Sequence, residues 1–264
     1  MGKYWRSVLN GFMLGAFVFL WADFMELPLD DTLWILLTGW ISFCVVLIGY
    51  YFIIQKQFYR KLWEFTKLLL DSQDVSGYLR QYEEMLRKTK RPGHRQILLM
   101  NYATGYSLKG EYEKAAEILE QVQEQYLPEM LRMAKYQGMA YNFFMAGEIS
   151  KGWQVVVEHY QGIEECMKKG YGISTMALTL ALGAFTMGHI QKGFELLVTS
   201  IQSGIVPWEI QNAKLIWARE ALLQDRDKEA AEILEELLQE KTMPNVELGA
   251  RRLLGFIKQQ EKLQ

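Results

Sequence analysis

Two patterns of apolar positions divide the chain. From Leu33 to Ile54 the sequence reads LWILLTGWISFCVVLIGYYFII, with no charged residue. About 20 apolar residues cross the hydrocarbon core of a bilayer as a helix. Trp34 marks one end of the run and Tyr50, Tyr51 and Phe52 the other, where rings with a polar edge favour the headgroup level. An earlier run, Val8 to Trp21 (VLNGFMLGAFVFLW), is shorter and is lengthened by Tyr4, Trp5 and Phe24. The pattern predicts membrane helices over about residues 5–24 and 33–54. A secretory signal peptide is the alternative for the first run, since Lys3 and Arg6 precede it. Against that, the run ends in Trp21 and Asp23 without a small-x-small cleavage site. Gly11 and Gly15 stand four apart, a spacing that lets a second membrane helix approach closely, with Gly39 and Gly49 of the second run as the partner surface. The alternative is that these glycines merely occur in a membrane helix.

Beyond residue 55 the apolar positions recur at helical spacing and the polar ones are charged. Phe58, Leu62, Phe65 and Leu69 form a stripe, and no Pro or Gly follows Gly49 up to that point, so the second membrane helix is expected to run on into it. The segment Asn101 to Val122, NYATGYSLKGEYEKAAEILEQV, sets a register around Gly110. Ala103 and Tyr106 precede the glycine, and Tyr112, Ala115 and Leu119 follow it. Gly147 carries Ala140, Phe143, Ile149, Gly152 and Val156 at matching offsets. Gly188 carries Ala181, Ala184, Ile190, Gly193 and Leu197. Asp225 takes the place of the glycine among Ala218, Ala221, Ala230 and Leu234, and Gln73 marks a weaker copy with Val75, Tyr78 and Tyr82. The marks are separated by 37, 37, 41 and 37 residues. Small residues at these places let antiparallel helices pack closely, and a turn glycine supplies a backbone conformation that other residues resist.

The unit around Gly110 resembles the tetratricopeptide repeat (TPR) family, a helix-turn-helix of about 34 residues. The longer spacing requires longer connections between helices. The resemblance covers roughly residues 58–264 and implies an all-α fold: an N-terminal two-helix transmembrane hairpin (1–55) followed by a TPR-like α-solenoid (56–264). Val246 to Leu263 reads as a C-terminal capping helix, with Leu248, Leu253, Leu254 and Ile257 on its apolar side. The resemblance further implies a concave face, made by the first helix of each unit, that takes a protein or peptide. Met100, Asn101, Thr104, Leu108, Gln137, Tyr141, Phe144 and Leu178 fall on that face in this register. Family members that grip a partner's terminal carboxylate use Lys, Arg and Asn there; here Asn101 is present, but Met100 and Thr104 stand where the polar grip belongs. The more apolar face suits an amphipathic helix. The alternative is that these residues pack on one another.

Charge completes the picture. Lys3 and Arg6 precede the first apolar run, and Lys56, Arg60, Lys61 and Lys67 follow the second. The loop between carries Asp23, Glu26, Asp30 and Asp31 and no base. The positive-inside rule then places both termini in the cytoplasm of a two-span protein of the cell membrane. A formal net charge of -2 gives no ground for nucleic-acid binding. Cys44 and Cys166 lie in different parts of the chain, which argues against a disulfide. His94, His159 and His189 are far apart and in no metal-ligand spacing, and no phosphate loop or nucleophile elbow is present. No catalytic, cofactor or metal site is therefore expected. The basic run Arg87, Lys88, Lys90, Arg91 and Arg95 fits either anionic headgroups or a solvated loop. The whole resembles membrane-anchored TPR proteins of bacteria, which implies a membrane-tethered scaffold or adaptor. The alternative is an accessory or regulatory subunit of a membrane transport or envelope-assembly complex acting through its hairpin.

Overall fold

The computed structural model describes residues 29–261. The first apolar run, with Gly11 and Gly15, and most of the acidic loop lie outside the described residues. Within them the chain is helical, with no strand. The helices are α1 (Leu29–Lys67), α2 (Val75–Lys88), α3 (Pro92–Lys109), α4 (Tyr112–Glu120), α5 (Glu129–Met145), α6 (Ile149–Lys168), α7 (Ile173–Thr186), α8 (Ile190–Ser203), α9 (Pro207–Leu222), α10 (Asp227–Gln239) and α11 (Pro244–Glu261). A π-helical turn, Leu68–Ser72, follows α1. The chain divides into two units, Met1–Glu64 and Phe65–Gln264. α1 continues unbroken through the charged stretch after the apolar run.

In the first unit α1 carries large apolar residues that are exposed. Trp34, Trp40, Val45, Val46, Ile48, Tyr50 and Phe52 are among them. Leu37–Ser72 is long and apolar enough to cross a membrane, with a mean hydropathy of 2.0 over its most apolar window and none of that window buried. Water would solvate such a surface at a cost of roughly 25 cal/mol per Å² of apolar area.

The second unit is built from consecutive helix pairs. Each of α3, α5, α7 and α9 packs on the helix that follows it, and the four also neighbour one another in order, forming an inner row. Left-handed backbone positions end six helical segments among the described residues: one is Gly170, after α6, and the other five are Gln73, Gly110, Gly147, Gly188 and Asp225. These five are the marks of the repeat register. At four of them the closing bonds are the same. The amide after the mark donates to the carbonyl five residues back: Glu111 to Tyr106, Glu148 to Phe143, His189 to Ala184 and Arg226 to Ala221, each at 2.9 Å. That is the Schellman closure, which satisfies a helix's last carbonyls only when the next residue adopts positive φ. At Gln73 the corresponding bond reaches one residue further, from Asp74 to Leu68 at 3.3 Å, because the segment ends in a π-turn.

The small positions of the register are the crossing points of the pairs. Ala103, Ala140, Ala181 and Ala218, seven residues before the last four marks, are all fully buried. Five residues after those four marks stand Ala115, Gly152, Gly193 and Ala230, also buried. Where that residue is glycine, the residue three before the mark is phenylalanine, and its ring fills the space: Phe144 against Gly152, Phe185 against Gly193. Leu119, Val156, Leu197 and Leu234 complete the core at equal offsets.

The C-terminal helix α11 packs on α9 and α10 and also reaches α3, near the start of the row. Gln73 Nε2 donates to the Lys241 carbonyl at 2.7 Å, and Lys241 Nζ to the Asp71 carbonyl at 3.2 Å, so the segment before α11 is pinned to the π-turn. The apolar side of α11 holds Leu254 and Ile257 as the sequence predicts and departs from the expectation at Leu248. Val246, Ala250, Leu254 and Ile257 are buried, whereas Leu248 is half exposed. The reason is a close approach: Gly249 sits against Leu215 of α9, which rotates the small residues inward.

Candidate functional site

The inner row borders a half-open cavity of about 340 Å³. Its wall follows the repeat register. Ile97, Ala134, Thr175 and Asn212, thirteen residues before the marks at Gly110, Gly147, Gly188 and Asp225, all line it. So do Met100, Gln137 and Leu178, ten residues before the first three of those marks. The fourth residue of that set, Leu215, meets Gly249 of α11 instead. A position repeated at fixed offset on neighbouring helices falls on one surface of the row.

Seven of the residues the sequence places on the binding face line this cavity: Met100, Asn101, Thr104 and Leu108 on α3, Gln137 and Tyr141 on α5, and Leu178 on α7. Phe144 does not. It is buried in the core, edge-to-face with Trp153 at 6.1 Å and against Gly152. Trp208, Glu209 and Asn212 of α9 also line the cavity, and sequence reasoning missed them. The signal was the register itself, read one helical turn further from the mark; the degenerate Asp225 copy hid it.

A buried polar knot forms one part of the wall. Tyr141 Oη donates to Asn212 Oδ1 at 3.3 Å, and Asn245 Nδ2 of α11 donates to the same oxygen at 2.8 Å. Asn212 Nδ2 is held by the Trp208 carbonyl at 2.8 Å. The Tyr112 ring lies edge-on to Tyr141 at 6.4 Å, with its hydroxyl 3.5 Å from Asn245 Nδ2. Burial pushes the Tyr141 phenol well above its ordinary value, with Tyr112 adding to the effect, so Tyr141 stays a neutral donor. The knot ties α5, α9 and α11 together across long sequence separations. Between α5 and α7 the link is Gln137, whose Nε2 donates to the Thr175 carbonyl at 3.1 Å and to Thr179 Oγ1 at 2.8 Å.

A shallower concavity of about 280 Å³ lies on α5 and α6, where the rings of Tyr136 and His159 stack. Burial holds His159 below its ordinary value. Among the described residues no group of His, Cys, Asp and Glu could hold a metal ion, and the cysteines are free, Cys44 exposed and Cys166 buried. In the basic run, Arg87 and Lys88 pair with Glu83 and Glu84 one turn back, and Arg95 donates to the Leu86 carbonyl at 2.9 Å.

No protein-family model, no curated protein and no solved structure matches this chain.

Proposed function

We propose that the protein is a membrane-tethered scaffold of the TPR kind. In this reading an N-terminal two-helix hairpin holds the chain in the cell membrane with both termini cytoplasmic. The helices after it form an α-solenoid, capped by α11, that binds a protein or peptide partner on its concave face. The observation that carries the reading is the cavity wall: four helices contribute residues at one register position and three of them at a second, and the side chains leave the space between them open. Positions that served only to pack the helices on one another would close that space. The exposed apolar surface of α1 supports the tether. Confinement to the bilayer surface raises the effective concentration of the binding face toward other membrane-bound proteins.

The test is cross-linking of the full-length protein in native membranes, with capture and identification of its neighbours. Thr104→Trp, at an exposed position of the wall, fills the cavity with little demand on the fold. Neighbours that vanish with this substitution, while membrane association and helicity persist, support the scaffold. Neighbours that persist in it, and follow the apolar helices when the repeats are deleted, overturn the scaffold in favour of a subunit acting within the membrane.

A further inference from the structure

The cavity wall has a chemical bias that its shape does not reveal. Asn101 turns its Nδ2 to the Ile97 carbonyl at 3.0 Å, and Asn142 its Nδ2 to the Gly138 carbonyl at 2.7 Å. Gln137 spends both hydrogens of Nε2 on α7. A carbonyl only accepts, so flipping any of these amides would set oxygen against oxygen, and the orientation follows from the chemistry. The end of each carboxamide without a protein partner is therefore the oxygen. Asn142 Oδ1 is sealed from the cavity, so the carboxamide oxygens the wall offers are those of Asn101 and Gln137. The hydroxyls of Thr104 and Thr175 likewise donate to backbone carbonyls, at 3.2 Å each. Uncommitted donors remain, namely the Ser107 hydroxyl, the Trp208 indole and second amide hydrogens, but all are neutral. The one charged side chain in the wall is Glu209, whose Oε2 accepts from the Ile205 amide at 3.1 Å and whose other oxygen is unpaired. Among the described residues no Lys, Arg or His lines the cavity.

We propose that the cavity takes the cationic side chain of a Lys or Arg, carried among apolar residues on a helical segment of the partner. This deepens the peptide-binding reading above and rests on it. An ammonium brings three donors and a guanidinium five, with no acceptor, which is the complement of a wall offering carboxamide oxygens and one carboxylate. A partner carboxylate would meet Glu209 and no cation. The methylene stem of Lys or Arg is apolar and packs on Met100, Leu131 and Leu178 while the head seeks the oxygens. A space of this size, near the lower end of the roughly 300–1,000 Å³ of ligand pockets, admits one or two side chains and leaves the rest of a helix on the rim.

The experiment uses full-length protein in lipid nanodiscs and three fluorescent amphipathic helical peptides, identical except for Lys, Gln or Glu at the centre of the apolar face. Fluorescence anisotropy is expected to rank Lys above Gln above Glu, with Lys and Glu separated by roughly tenfold or more in Kd. Glu209→Gln, which keeps the acceptor for the Ile205 amide, is expected to bring the Lys peptide to the level of the Gln peptide. Thr104→Lys, at the exposed edge of the wall, is expected to reverse the ranking, and folding of both variants is checked by thermal unfolding. Equal binding of the three peptides, or a preference for Glu in the unsubstituted protein, overturns the cation preference and leaves peptide binding standing. Failure of all three peptides to bind, while cavity-dependent neighbours are still captured in membranes, also overturns the cation preference alone. Failure together with the loss of those neighbours overturns both.

Discussion

A Cβ placed on Gly152 would lie 2.7 Å from the ring of Phe144. The glycine is therefore the space the ring occupies, and α5 and α6 approach as closely as they do because of it. Gly193 and Phe185 repeat the relationship between α7 and α8. Where the later residue is Ala115 or Ala230, the earlier is Ser107 or Leu222 and no ring has to be housed.

Gly152→Ala is accordingly expected to destabilise the helical unit by about 1–3 kcal/mol through overpacking. Phe144→Leu in the Gly152→Ala background should recover part of that loss, although Phe144→Leu alone is destabilising. Denaturant unfolding of the four proteins followed by circular dichroism measures the coupling. Strict additivity would show that ring and glycine do not share one space.

The marks at Gln73 and Asp225 hold positive φ without being glycine, at 55° each. An L side chain in that region costs roughly 1–2 kcal/mol. Asp225→Gly is expected to stabilise the protein by up to about 1 kcal/mol. Gly147→Ala is expected to destabilise it by a similar amount, about 1 kcal/mol, for the same reason. A Cβ at Gly147 meets nothing within 4 Å, so the loss would be conformational rather than steric. Thermal unfolding of both variants checks the pair, and an unchanged Gly147→Ala protein would contradict the left-handed turn.

Tyr78, Tyr82 and Tyr141 are among six phenols that respond to alkali in the same direction. Burial pushes Tyr82 up to about 12 and raises Tyr78 and Tyr141 well above the usual phenol. In the unfolded chain a phenol loses its proton near pH 10. Above that pH the unfolded state holds fewer protons than the folded one, so stability falls as pH rises through the interval from about 10 to about 12. Tyr141→Phe removes one such group and should flatten the fall, at the expense of the bond to Asn212. Equilibrium unfolding across pH 9–12 reads this, and an equally steep fall in Tyr141→Phe would argue that Tyr141 ionises freely in the folded protein.

Much of the architecture follows from residues that act locally. A Schellman closure depends on its own six residues, so Gly110, Gly147 and Gly188 announce the helix ends wherever they stand, and the equal spacing places Gln73 and Asp225 with them. Small residues at fixed offsets mark helix crossings because only they fit there, and an uncharged run of sufficient length in α1 needs no context to be apolar. Tertiary packing decided the rest. Which face of a helix looks into the cavity depends on how neighbours rotate it: Phe144, one residue round from Phe143, turns to Gly152 and leaves the cavity to Tyr141, and Leu215 is taken from the wall by Gly249. Asn212 and Asn245, 33 residues apart, meet only because α11 returns across the row. Helical periodicity defines an apolar stripe to within about one position, whereas a cavity is set by contacts between helices distant in sequence, and no local rule contains those.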